Sequence, residues 1–87
     1  MATYRIEWKS SALKEIKHLD RSIIPRIIAA IESLSNIPRP SGVRKLQGSD
    51  QSYRIRVGEY RVVYEIVDKI LCIVIIRIGH RKNIYRD

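Results

Sequence analysis

Tyr53-Arg54-Ile55-Arg56-Val57-Gly58-Glu59-Tyr60-Arg61-Val62-Val63-Tyr64 is the stretch that decides the fold. Apolar and basic residues alternate on both sides of Gly58-Glu59, the pattern of two half-buried strands. A Gly-X pair between such strands makes a two-residue hairpin turn. Turn length sets register, so Val57 is expected opposite Tyr60, Arg56 opposite Arg61, Ile55 opposite Val62 and Tyr53 opposite Tyr64. Residues directly opposite share a face. One face then reads Tyr53, Ile55, Val57, Tyr60, Val62, Tyr64 and is the core; the other gathers Arg54, Arg56 and Arg61. Three guanidiniums ~6–7 Å apart repel by about 0.6 kcal/mol per pair even in water. An edge strand that needs only protection from aggregation commonly carries lysine and mixed signs. The cluster therefore reads as an anion site, for which arginine's planar fork of donors is suited.

Downstream, residues 60–67 run through Asp68-Lys69, read as a second tight turn, into a third strand at residues 70–78. A two-residue turn there puts Val63, Val74 and Ile76 on the arginine side and sends Arg77 toward the core, unless the strand has ended or the turn is off by one. Upstream, residues 3–8 alternate, with Tyr4, Ile6 and Trp8 on one face and Arg5 and Glu7 on the other, which makes a half-buried strand. Ser10 or Ser11 can cap a helix whose apolar stripe is Leu13, Ile16 and Leu19. Asp20 or Ser22 starts a second helix with Pro25 in its first turn; Ile24, Ile27, Ile28, Ile31 and Leu34 carry its buried face. Asn36, Pro38, Pro40 and Gly42 mark a connector. The expected fold class is α+β: an N-terminal strand, a two-helix hairpin, then a three-stranded antiparallel meander, with both helices on one sheet face. Residues 1–87 are read as a single domain.

The chain carries 17 Lys and Arg against 9 Asp and Glu, a net charge of +8. The excess is uneven: eleven basic and five acidic residues lie from Arg39 onward, six and four before it. That bias calls for a polyanionic partner, either nucleic acid or an anionic membrane surface. A hydrophobic fraction of 45% excludes a disordered chain. Cys72, the lone cysteine, excludes an internal disulfide or a thiolate metal cage, and within an apolar strand it reads as core filler. The first residues lack a signal peptide's apolar centre, and the longest apolar run, residues 70–76, is far short of the ~20 residues that span a bilayer. A reducing, cytoplasmic compartment and no membrane are expected.

Candidate chemistry collects at the end of the chain as well. Gly79 ends the third strand, so that Arg81 and Tyr85 can swing toward the arginine face. His80 has no orienting carboxylate nearby and reads as structural or as a phosphate contact rather than a general base. Glu7 and Glu65 look like single solvated carboxylates, which argues against a two-carboxylate hydrolase. The sequence holds no metal-ligand cluster, glycine-rich phosphate loop or nucleophile elbow. No cofactor is expected.

Ala12-Leu13-Lys14-Glu15, Lys45-Leu46-Gln47-Gly48, the hairpin from Tyr53 to Glu65 and Gly79-His80-Arg81-Lys82-Asn83-Ile84-Tyr85 closely resemble the RelE family of the RelE/ParE toxin superfamily, in order and with matching spacing. The resemblance implies the toxin of a type II toxin–antitoxin pair. It implies a ribosome-dependent, metal-independent endoribonuclease that cleaves mRNA in the A site, where a ribose 2′-OH attacks the adjacent phosphate and leaves a cyclic phosphate and a 5′-OH. Arg54 and Arg56 match two basic strand positions of the family's site, Arg61 the arginine on the scissile phosphate, Arg81 the tail arginine and Tyr85 the tail tyrosine. Arg44, Lys45, His80 and Lys82 are expected RNA contacts. The implied partners are a RelB-like antitoxin, in a hetero-oligomer, and the ribosome with its mRNA; the toxin alone is expected to be monomeric. Two departures bear on mechanism. Positions 54 and 56, often lysine in the family, hold arginine, which keeps its proton near neutrality (pKa above about 12). The chain also stops at Asp87, without the longer helical C-terminus of some relatives. Tyr85 is left as the base candidate. A ParE-like toxin acting on DNA gyrase and a non-catalytic RNA-binding module are the alternatives.

Overall fold

The Gly58-Glu59 turn adopts the geometry expected from its sequence. In a computed structural model, which describes residues 3–84, Gly58 has φ +59°, a left-handed value that costs a residue with a Cβ roughly 1–2 kcal/mol. The turn joins β3 (Ser52–Val57) to β4 (Tyr60–Val67). Pairing follows the expected register, with Arg56 opposite Arg61 and Tyr53 opposite Tyr64.

The second turn differs from expectation. Asp68–Ile70 form a 3-10 turn and Leu71 reverses the chain at φ +51°, so Val67 lies opposite Cys72, four turn residues away rather than two. A slip of two residues preserves side-chain parity, and Val74 still faces outward, opposite Glu65. A β-bulge then breaks parity in β5 (Cys72–His80): Ile75 is opposite Tyr64, Arg77 is opposite Val63, and Ile76 is the extra residue. Arg77 is thereby carried to the arginine side, which corrects its expected place toward the core.

Two further strands complete the sheet. β1 (Arg5–Trp8) runs parallel to β5. β2 (Arg44–Lys45), which the sequence reading left in the connector, pairs with β3. Among the described residues the sheet has five strands in the order β1-β5-β4-β3-β2. The meander is thus extended by one short strand on its β3 edge.

Helices α1 (Ser10–Lys17) and α2 (Ile24–Ser33) cover one face. Ala12, Ile16, Ile27, Ile31 and Leu34 pack there against Tyr53, Ile55, Val62, Tyr64, Ile66, Ile73, Ile75 and Ile78. Cys72 is buried as a free thiol. The expected stripes are corrected at two places: Leu13 and Ile28 face outward, and Ala12 takes the core position on α1. Neither helix has a side-chain cap, and α2 starts at Ile24 after Asp20 has accepted bonds from the Ser22 N–H and hydroxyl. Instead of capping, Ser11 Oγ donates to the Ile76 carbonyl at 3.3 Å. Glu15 Oε1 accepts the Ile78 N–H at 2.8 Å. These two side chains satisfy the β5 edge where β1, whose last pair is Trp8 with Ile75, has run out.

Opposite the hairpin tip, polar bonds tie four segments together. Tyr4 Oη donates to Asp68 at 2.7 Å, Arg39 Nη2 donates to the other Asp68 oxygen at 2.9 Å, and Arg39 Nε donates to Tyr53 Oη at 3.1 Å. The hydrogen bond from Arg39, then that from Tyr4, holds the Asp68 carboxyl below the usual carboxylate range. A depressed folded-state pKa gives stability that is present above the ordinary value of ~3.9 and lost as pH falls through the folded value. Asp68→Asn should therefore lower the melting temperature at pH 7 and flatten its fall below about pH 4. Thermal melts of both proteins from about pH 2 to 7 check this; an identical offset at every pH would refute the linkage.

Candidate functional site

β2 contributes only two pairs, Arg44 with Arg54 and Lys45 with Tyr53. Before it, Gly42 turns the chain away at φ +88°. Beyond Arg54, the outer edge of β3 at residues 55–57 has no strand neighbour among the described residues. A cleft of about 710 Å³ opens there. Ala30 and Ser33 of α2 form one wall, Pro40, Ser41 and Gly42 another, and Arg44, Arg54, Ile55, Arg56 and Arg61 the basic side. The three hairpin arginines thus share one cavity, as their register implied, and Arg44 joins them.

Arg61 is the one buried charged residue among the described residues, at 6% exposure. Its register partner is Gly79, which places no side chain on that face and so leaves room for the guanidinium. Arg61 Nη1 donates to the Tyr60 carbonyl at 3.1 Å and to the Gly58 carbonyl at 3.4 Å. Arg56 Nε donates to the same Gly58 carbonyl at 3.2 Å, and the rest of Arg56 is exposed. The Gly58 carbonyl therefore steers two guanidiniums at once. Preoriented donors of this kind suit an oxyanion whose charge grows during a reaction.

The remaining expected residues divide. Arg81 opens a short helix, α3 (Arg81–Ile84). It stands at the hairpin tip, its N–H donating to the Glu59 carbonyl at 2.9 Å and its Nε 3.5 Å from the Glu59 carboxylate. His80 lies opposite Tyr60, edge-on at 5.5 Å between ring centroids. Strand alternation puts this pair on the sheet face away from Arg61. His80 Nδ1 accepts the Lys82 N–H at 3.2 Å. Lys45 and Lys82 are exposed and do not line the cleft. Tyr85 lies outside the described residues. Among the described residues no three His, Cys, Asp or Glu side chains are grouped to hold a metal ion, and no helix is long and apolar enough to cross a membrane.

Residues 6–85 match the family model described as the ParE toxin of the type II toxin–antitoxin system parDE. The chain is 33% identical over 91 residues to toxin RelG of Mycobacterium tuberculosis, covering 95% of this chain and 97% of that protein. It is 32% identical over 85 residues to toxin RelE3 of Methanocaldococcus jannaschii, covering 93% and 94%. Its fold matches a chain in the crystal structure of the archaeal RelE–RelB complex from Pyrococcus horikoshii OT3 with a TM-score of 0.81 and 30% identity, over 91% of this chain and 96% of that one. With the alternating arginine hairpin, the two-helix cover and the cleft at the β3 edge all described, the chain belongs to the RelE/ParE family of type II toxin–antitoxin toxins.

Proposed function

We propose that this toxin is a ribosome-dependent mRNA endonuclease. The observation that carries the reading is the convergence of Arg44, Arg54, Arg56 and Arg61 on one cleft at an open sheet edge. In the proposed reaction the ribose 2′-oxygen attacks the adjacent phosphorus and the P–O5′ bond breaks. A 2′,3′-cyclic phosphate and a 5′-hydroxyl result; the 2′-OH gives up its proton and O5′ gains one. Arg61 holds the phosphate and its developing second charge, and Arg54 and Arg56 add to that field. Tyr85 takes the 2′-OH proton, and Arg81, at the hairpin tip, approaches the leaving oxygen. Control comes from a RelB-like antitoxin, a reading supported by the RelB partner in the Pyrococcus complex. Val63, half-buried opposite Arg54, offers apolar area beside the arginines to an antitoxin segment carrying acidic and aliphatic residues, and Val74 continues that face between Glu65 and Glu7.

Primer extension on mRNA in programmed ribosomes tests the activity: new 5′ ends within the A-site codon are expected, with a cyclic phosphate on the upstream fragment. A second reading, gyrase poisoning, has one observation in its favour, the description of the matching family model as a ParE toxin. Gyrase-linked DNA breaks without any RNA ends would select it. The cleft itself is tested by binding. Arg54→Gln with Arg56→Gln should lower the log–log salt slope of ribosome–mRNA binding by about 1.4, since each lost single-strand contact removes about 0.7. An unchanged slope would show that these residues do not touch the backbone.

A further inference from the structure

Arg26, on the first turns of α2, reaches the same hairpin tip from the helix side of the sheet. A methyl placed on Gly58 would meet Arg26 Nη1 at 3.8 Å and Nη2 at 4.0 Å, beside Ile23 Cδ1 at 3.9 Å. From the opposite face Arg56 donates to the Gly58 carbonyl at 3.2 Å. Two guanidiniums thus bracket one glycine, whose missing side chain leaves the turn's backbone uncovered.

The charge balance at this tip is uneven. Of the arginines there, Arg81 has a carboxylate within 4.0 Å, that of Glu59. Among the described residues Arg26 and Arg56 have none. Glu59 is the one acid in the turn, and its carboxylate is turned to Arg81. Both guanidiniums are exposed, and an anion beside the turn would gain hydrogen bonds from two planar forks while relieving their weak mutual repulsion.

We propose that Arg26 and Arg56 form a second phosphate-binding site at the hairpin tip, which takes a backbone phosphate of the RNA strand whose scissile phosphate lies in the cleft. The proposal rests on the endonuclease reading above and extends its binding track. Arg56 is common to both sites: it lines the cleft and also bonds the Gly58 carbonyl, the residue that Arg26 approaches from the helix side. An RNA strand fits this better than an acidic protein segment, because a phosphate presents several oxygens to two planar forks. The aliphatic side chains at the tip, Ile23 and Val57, are buried, which leaves a protein little apolar area to cover.

The test measures equilibrium binding of the full chain to ribosomes programmed with mRNA that carries a 2′-deoxy nucleotide at the cleavage position, so that binding is read without chemistry. Arg26→Gln should lower the salt slope by about 0.7, so that a fourfold rise in salt weakens the variant about 2.5-fold less than the wild type. Arg26→Lys, which keeps the charge, should restore the slope. Arg21→Gln, an exposed arginine that does not reach the turn, should leave it as in the wild type. An unchanged slope in Arg26→Gln, or an equal drop in Arg21→Gln, overturns the site. A loss confined to antitoxin binding overturns it too, in favour of a protein contact. A wild type that cleaves normally while Arg26→Gln binds with the full slope removes this inference alone. A wild type that neither binds nor cleaves removes the endonuclease reading with it.

Discussion

Arg61→Ala should slow single-turnover cleavage of ribosome-bound mRNA by about 10²–10³ at every pH from about 6 to 9, the usual effect of deleting one preoriented donor to a growing oxyanion. The phosphorane gains a second negative charge, and Arg61 is the arginine whose surroundings fix it most firmly. It is 6% exposed, and its Nη1 donates to two carbonyls at the hairpin turn, those of Tyr60 and Gly58. A donor already oriented needs no reorganisation when charge develops, and low solvent access strengthens its field. Because arginine keeps its proton across this range, the loss should not vary with pH. Arg61→Lys separates charge from geometry. It retains the cation but loses the fork, so it should recover part of the rate and not all of it. Burial means that Arg61→Ala also leaves a void on the face of Gly79, so melting temperatures of both variants must be measured beside the rates. A folded Arg61→Ala protein that cleaves within about threefold of the wild type would remove Arg61 from the site.

The hairpin was legible because its register depends on a local feature. Gly58 is the residue that takes φ +59° cheaply, and two residues of loop leave one pairing for Arg56 and Arg61. The same logic failed at the next turn. Asp68-Lys69 resembles a turn, but the reversal falls at Leu71, a non-glycine residue at φ +51° that nothing in its side chain announces. The bulge around Ile76 was equally silent, and it is what carries Arg77 to the arginine side. Two-residue β2 is too short to show any period. What the sequence did not show are contacts between distant segments. Arg44 and Arg81 were expected at the site, but not that Arg44 enters the cleft as the connector folds back onto β3 or that Arg81 meets Glu59 across the hairpin tip; Arg26, which arrives from a helix, was not singled out at all. Periodicity orders residues along one element and carries no information on such meetings. Family resemblance located Arg81 in the sequence, and the fold sets it at the tip rather than among the residues lining the cleft.

Tyr85→Phe should cost on the order of 10²–10⁴ in the same single-turnover rate, the range for loss of a positioned general base. The reasoning starts from what the cleft lacks. Its described charged side chains are all arginines, which cannot accept a proton near neutrality. His80, the nearest conventional base in sequence, lies on the other sheet face against Tyr60, and its Nδ1 is occupied by the Lys82 N–H. The family resemblance places the tail tyrosine at Tyr85, and a phenolate is a competent acceptor for the 2′-OH proton. A phenol's ordinary pKa is near 10, and one brought to the arginine cleft would be favoured in its ionised form. The wild-type rate should therefore rise with pH between about 6 and 9 as the phenolate fraction grows. Phenylalanine keeps the ring and removes the oxygen, so the rise should vanish along with most of the rate. Arg61→Ala, slow but still rising with pH, is the internal contrast, because it removes charge stabilisation and leaves the base. If Tyr85→Phe cleaves near the wild-type rate with the wild-type pH profile, the base is some other group. The 2′-OH proton would then have to pass to mRNA, to the ribosome or to solvent, with this chain supplying only the arginine field.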